Sequence, residues 1–472
     1  VYTMENILRY YLMPHPPLII PEVGRGQEKV IQKTIDACNK IGEEIGELKP
    51  ETVVIITPHG TMFSDALAIS NEEYIKGNFT QFRDFETYIE GRIDKEFNEK
   101  LIDICNKKNI PVLGVDSKIL KKFNREYELD HGAMIPMYFI NKFYKDYKIV
   151  HVTYATLNDI ELYKFGMAIK ESAKKLNKKI VFIASGDLSH KLKEDGPYEY
   201  SPEGAKFDKA LLDNLEKGDV LSIFNMDKYM VKCAGECGLR SVFIMLGAME
   251  GEETKGKLLS YEGPFGVGYG VMSFNNEEKG DVKLESLINM KKEILNKKIS
   301  NANPYVKIAR ESLNHYYSSG HLMAKPINLS KELSKDRGGV FVSLKKNGLL
   351  RGCMGTFLPT TDSIAEEIIK NVVLAATQDP RFERVSEDEL LDLDISVDVL
   401  ERPHKATKEE LDPKKYGVIA IQGHKKGLLL PDLEGVDTVE QQLQIACEKA
   451  GISLDEEYDI ERFKVTRYKE GE

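Results

Sequence analysis

The chemistry-bearing residues of this chain are its early histidines, and their placement is not random. His15 follows the apolar run ILRYYLM inside MPHPP, and His59 follows VVIIT inside TPHG. Each is expected to project from the carboxyl end of a strand. In open α/β sheets, ligands collect in the crevice beyond those ends. Two imidazoles there can share a metal, and Glu236 in AGECGLRSVFIMLG, just before an apolar helix, offers a carboxylate as third donor. Two histidines and one carboxylate leave coordination positions open, a set suited to non-haem Fe(II) with substrate and oxygen.

Three further histidines precede residue 191. His190, in IASGDLSH, again follows a buried run and suits an acid/base beside such a metal, because imidazole titrates near neutrality. His131 in LDHGAMIPMYF is the second catalytic candidate, orienting substrate or oxygen from a helix start. His151, inside HVTYA, reads as a packed sheet residue. Taken singly, any of these is more often a capping or core histidine with satisfied hydrogen bonds. The case for function rests on four of them falling at element ends.

The elements that must position these residues alternate. Apolar runs at 53–58, 148–155 and 179–189 are interleaved with amphipathic stretches at 28–46 and 161–177. This pattern predicts an α/β fold with a central, mostly parallel sheet and helices on both faces. The glycine-rich KLLSYEGPFGVGYGVMSF (257–274) closes that unit as a strand pair. We therefore divide the chain into a metal-site domain (1–275), a polar, lysine-rich linker with a possible helix (276–303) and a smaller α+β domain (304–472).

Taken together, MPHPPLIIPEVG, TPHG, LDHG, GDLSH and GPFGVGYG resemble the class III extradiol ring-cleavage dioxygenases of the LigB type and their Memo-like relatives. The resemblance implies that His15, His59 and Glu236 hold the metal, that His190 is the acid/base and that His131 is the second active-site histidine. It implies Fe(II) and a small aromatic, catecholic or phenolic substrate whose ring opens beside its hydroxyls. Memo-like relatives carry altered ligands, including a cysteine near the carboxylate position. Here Cys233 and Cys237 flank Glu236, and on one helix they would share a face and suit a softer metal such as Zn or Cu, or a redox pair, although buried free thiols are the commoner case. A non-oxygenative lyase or hydrolase step on the same metal is a further alternative.

The second region, with GLLRGCMGTFLP, AATQDPRFERV and DLDISVDVLERP, resembles the AMMECR family. Gly352 and Gly355 bracket Cys353 in an expected turn, with Arg351 beside it. That turn reads equally as a ligand site with an anion partner or as a tight connection around a small buried thiol. Arg381, in DPRF, is expected to pair with local carboxylates. The two families recur with a radical S-adenosylmethionine protein, which the resemblance makes a candidate partner.

Composition narrows the partners. With 66 basic and 76 acidic residues the net charge is −10, which gives no attraction for phosphate backbones or anionic membranes, so neither nucleic acid nor membrane is expected. No stretch approaches the ~20 apolar residues that span a bilayer, and the start lacks a signal-peptide pattern. Six scattered cysteines do not form a secreted disulfide framework. A cytoplasmic location is expected.

Overall fold

The computed structural model describes residues 6–275, 279–346, 348–433 and 435–471, and these form two compact units, residues 1–290 and 291–472. The division falls at Met290, inside a helix spanning Leu284–Ser300, which occupies the stretch read as a linker.

The first unit is built on a ten-stranded mixed sheet. Its strands are β1 (Ile7–Met13), β2 (Thr52–Thr57), β3 (Leu67–Ser70), β4 (Tyr74–Asn78), β5 (Tyr88–Ile93), β6 (Val112–Val115), β7 (Lys148–Thr153), β8 (Ile180–Ser185), β9 (Gly256–Glu262) and β10 (Tyr269–Phe274). The main path runs β4-β5-β7-β2-β8-β1-β10-β9, with β3 and β6 paired beside β7. The five central strands, β5 to β1 along that path, are parallel, whereas β4, β9 and β10 are antiparallel additions. The glycine-rich run thus closes the sheet as a hairpin. Every residue of β2 and β8 is buried, as expected of strands covered on both faces.

Side-chain alternation divides the interior into two cores. Tyr10, Leu12, Val54 and Ile56 face the helices Asp159–Leu176 and Leu239–Ala248. Tyr11, Met13, Val53 and Ile55 face the helices Gln32–Leu48 and His131–Ile140. The helix Asp159–Leu176 begins at a capping box formed by Asn158 and Glu161. It then meets Leu239–Ala248 at backbone distance: a Cβ on Gly166 would lie 1.9 Å from the Ile244 carbonyl oxygen, and one on Gly247 1.9 Å from that of Tyr163. Only glycine permits that approach, and it fixes where residues 236–238, just before the second helix, must lie.

The second unit is a smaller α+β fold. Strands β11 (Gly339–Lys346), β12 (Leu349–Thr356), β13 (Leu393–Leu400), β14 (His404–Lys405), β15 (Tyr416–Gln422), β16 (Lys425–Leu429) and β17 (Asp459–Lys469) form an antiparallel sheet in the order β12-β11-β13-β17-β15-β16, with β14 paired to β17. Val340, Val342 and Leu344 pack under the helices Pro304–Ser319 and Ile364–Thr377. Among the described residues of both units, no helix is long and apolar enough to cross a membrane.

Candidate metal centre

The three adjacent parallel strands β2, β8 and β1 end level with one another, Met13 opposite Ser185 and Ile56 opposite Ala184. Two residues past each end stands a polar side chain: His59, Asp187 and His15. The helix His131–Ile140 starts over the same crevice. His59 and His131 stack with centroids 4.4 Å apart, and His15 meets them edge-on at 4.7 and 5.4 Å. Phe82 adds an edge contact to His131.

His15 is almost wholly buried, and its tautomer follows from its neighbours. Ser185 Oγ donates its single hydrogen to the Gly132 carbonyl, so it can only accept from His15 Nδ1, 2.8 Å away. Nε2 is left with its lone pair pointing into the crevice. There it lies 3.6 Å from Cys237 Sγ. The donor atoms of His15, His59 and Cys237 all lie within 4.8 Å of one another. This set fits a metal ion: two imidazoles and a thiol, with His15 oriented by an outer hydrogen bond as metal-ligating histidines usually are.

The structure does not bring Glu236 into that group. Its carboxylate turns back to accept from the Leu239 backbone N–H at 2.6 Å, at the start of the helix Leu239–Ala248. The neighbour Cys237 is directed to the histidines instead, held by a backbone bond from its N–H to the Asp187 carbonyl. Gly186 and Gly238 touch here, and a Cβ on Gly186 would lie 2.1 Å from Gly238 Cα. Cys233 and Cys237 do not share a helical face. The helix Lys228–Ala234 ends at Gly235, whose φ of 60° turns the chain into the left-handed region before Cys237.

His190 lies beyond Asp187, its backbone N–H bonded to the carbonyls of Ala234 and Gly235 and its ring stacked on Tyr198 at 5.3 Å. Burial lowers the pKa of His15, His59 and His190 below the ordinary imidazole value, and that of His131 to about 3 with help from its histidine neighbours. These rings are neutral near pH 7, the form that ligates a metal or accepts a proton. Burial pushes the Asp187 carboxyl up to about 6 and the Cys237 thiol well above its usual value. His151 is the core residue expected of it, 3% exposed, bridging Asp130 Oδ1 and Ser70 Oγ.

Asp187 and Ser185 were not singled out from sequence, although GDLSH contains the first. For Asp187 the signal is the shared offset, two residues past a buried parallel strand, displayed also by His15 and His59; Ser185 is the last residue of β8 and shares no such signal.

In the second unit the expected turn around Cys353 is absent. Gly352, Cys353 and Gly355 lie within β12. The glycines serve packing: a Cβ on Gly352 would lie 2.2 Å from the Ala375 carbonyl oxygen, and one on Gly355 2.3 Å from the Phe341 ring. Arg351 is engaged by Glu389 through two 3.0 Å bonds, and Arg381 by Asp379.

Residues 9–272 match the family model described as the catalytic LigB subunit of aromatic ring-opening dioxygenase, and residues 306–470 match the AMMECR1 family. The chain belongs to the LigB family and carries an AMMECR1 domain behind it. This two-domain LigB–AMMECR1 protein is 53% identical over 462 residues to Protein CA_C1420 of Clostridium acetobutylicum, covering 98% of this chain and 99% of that one. A Thermotoga maritima protein is 52% identical over 169 residues, 35% of this chain and 97% of the relative. Among solved structures, uncharacterized protein JW3007 from Escherichia coli K12 aligns at 12% identity with a TM-score of 0.39, over 57% of this chain and all of that one.

Proposed function

We propose that the LigB domain is a metal-dependent enzyme acting on a small phenolic or catecholic molecule, with the metal held by His15, His59 and Cys237. The observation that carries this reading is the convergence of those three donors, His15 and His59 from just past the ends of the parallel strands β1 and β2 and Cys237 from the turn before the helix Leu239–Ala248, with His131 stacked on His59 and His190 close enough to act electrostatically on His15 and Asp187. When bound, the metal supplies Lewis acidity and, if it is Fe(II), a site for oxygen chemistry. His190, neutral near pH 7, accepts the phenolic proton and returns it to the product. His131, stacked on His59 and walled by Phe82, orients a planar ring.

Extradiol ring cleavage on Fe(II) is the most specific form of this proposal. The thiol among the donors favours a second form, in which a softer metal such as Zn or Cu sits in a Memo-like site that works with a radical S-adenosylmethionine partner or performs a non-oxygenative step. The negative net charge favours partners that are neither nucleic acid nor anionic membrane, and the six scattered cysteines favour a reducing, cytoplasmic setting.

Elemental analysis of the protein purified without oxygen tests the site. The expected result is near-stoichiometric metal in the wild type, lost in Cys237→Ser and kept in Glu236→Gln. Loss in Glu236→Gln with retention in Cys237→Ser would return the third position to the carboxylate. A wild type that never takes up metal sinks the proposal. Oxygen uptake with simple catechols then separates the two forms.

A further inference from the structure

The first turn of the helix His131–Ile140 is bonded to both histidine-bearing strand ends. Asp130 stands at its N-cap position, where an aspartate normally accepts from the exposed backbone N–H groups of the first turn. Its carboxylate makes no such bond. Oδ2 instead accepts from Thr57 Oγ1 at 2.5 Å, and Oδ1 from His151 Nε2 at 2.8 Å. Thr57 Oγ1 in turn accepts the backbone N–H of His59 at 3.2 Å. Two residues further along the same turn, the Gly132 carbonyl holds Ser185, which orients His15. Gly132 is required there, since any Cβ would lie 2.2 Å from Thr57 Oγ1.

Giving up a helix cap for two buried hydrogen bonds needs a compensating reason. Asp130 is 8% exposed. Burial alone would raise its pKa, yet the bonds from His151 and Thr57 hold it well below the usual carboxylate range, so it is a buried anion. The anion is held from behind by His151, whose Nδ1 is tied to Ser70.

We propose that Asp130, fixed by His151, is a positioning residue and buried counter-charge for the metal centre, setting where His59 leaves β2 and offsetting the charge of the bound cation. This inference rests on the metal reading above and extends it to groups that touch no metal.

The test is Co(II) binding to the full chain, read as affinity by chelator competition and as the position of the visible absorption band. Asp130→Asn keeps the side-chain shape and removes the charge. It is expected to bind Co(II) about 10- to 100-fold more weakly, with a shifted band. Thr57→Val, which cuts the link to His59, is expected to shift the band and weaken binding less. It also keeps the inference testable should Asp130→Asn fail to fold. His151→Gln, whose amide can still donate to Asp130, should stay nearer the wild type than His151→Leu. Asp94→Asn is the structural control, because Asp94, just past the end of β5, is also buried but is bonded to Thr52 and Lys178. It should lower stability and leave Co(II) binding unmoved. Wild-type affinity and band in both Asp130→Asn and Thr57→Val would overturn this inference and leave the metal reading standing. A wild type that does not bind Co(II) would bring down the metal reading itself.

Discussion

Cys237 places its sulfur 3.6 Å from Nε2 of His15, and that nitrogen carries no proton. The thiol itself is protonated without a cation, because burial and the neighbouring Asp187 push its pKa well above the ordinary value. Binding a metal there must release that proton, so affinity should rise with pH. Between pH 6 and 8 we expect about a tenfold gain per pH unit, measured by isothermal titration in buffers of differing ionisation enthalpy. A pH-independent affinity would mean that the sulfur is not a ligand.

Ser185 is the next residue to alter. Ser185→Ala removes the acceptor for His15 Nδ1 and the donor to Gly132, both buried. We expect metal affinity to fall about tenfold and stability to fall by about 1–3 kcal/mol. Chelator competition and thermal melts would show the two effects separately.

Gly186→Ala tests the backbone contact that delivers Cys237. The new methyl would lie 2.1 Å from Gly238 Cα, and backbone cannot yield as a flexible side chain can. Overpacking of this kind costs about 1–3 kcal/mol, and here the strain falls on the segment carrying the thiol. The expected signature is loss of metal out of proportion to loss of stability. A variant that melts early yet binds metal normally would show that the contact is structural only.

The AMMECR1 domain offers a test of stability. Arg310 is 1% exposed and donates to both oxygens of Glu470 and to the carbonyls of Leu390 and Leu393. Arg310→Met leaves the buried Glu470 carboxylate with the Ile395 N–H and the more distant Lys298, and takes the Arg310 donors from two carbonyls; it is expected to cost about 3–5 kcal/mol. Denaturant melts would read this as early loss of the second unit. A change below 1 kcal/mol would indicate that water reaches Glu470.

Glu389 supplies a pH dependence in the same domain. Burial would raise its pKa, but the Arg351 fork and the Ser386 N–H bring it down to about 2. A carboxylate depressed on folding stabilises the native state above its unfolded pKa, about 4.3. That contribution is lost as pH falls through the folded value near 2. Wild type should therefore lose stability between about pH 4.5 and 2 more steeply than Glu389→Gln. Parallel acid titrations followed by circular dichroism would reveal a flat difference if the fork contributes nothing.

The sequence by itself determined what depends on local pattern. Uninterrupted apolar runs marked β2 and β8 as strands buried on both faces, and MPHPP and TPHG placed His15 and His59 just past strand ends. HVTYA marked His151 as interior. Local spacing could not decide which member of Glu236–Cys237 faces the histidines. Adjacent residues point in different directions, and the choice was made by the left-handed turn at Gly235 and the Gly186–Gly238 contact. Nor could it reveal that Asp130 abandons its helix cap, since its partners Thr57 and His151 come from separate strands. Those relationships link segments 21 to 222 residues apart and exist only once the parallel strands align their ends, as when His15 meets Cys237 and Asp130 meets His151.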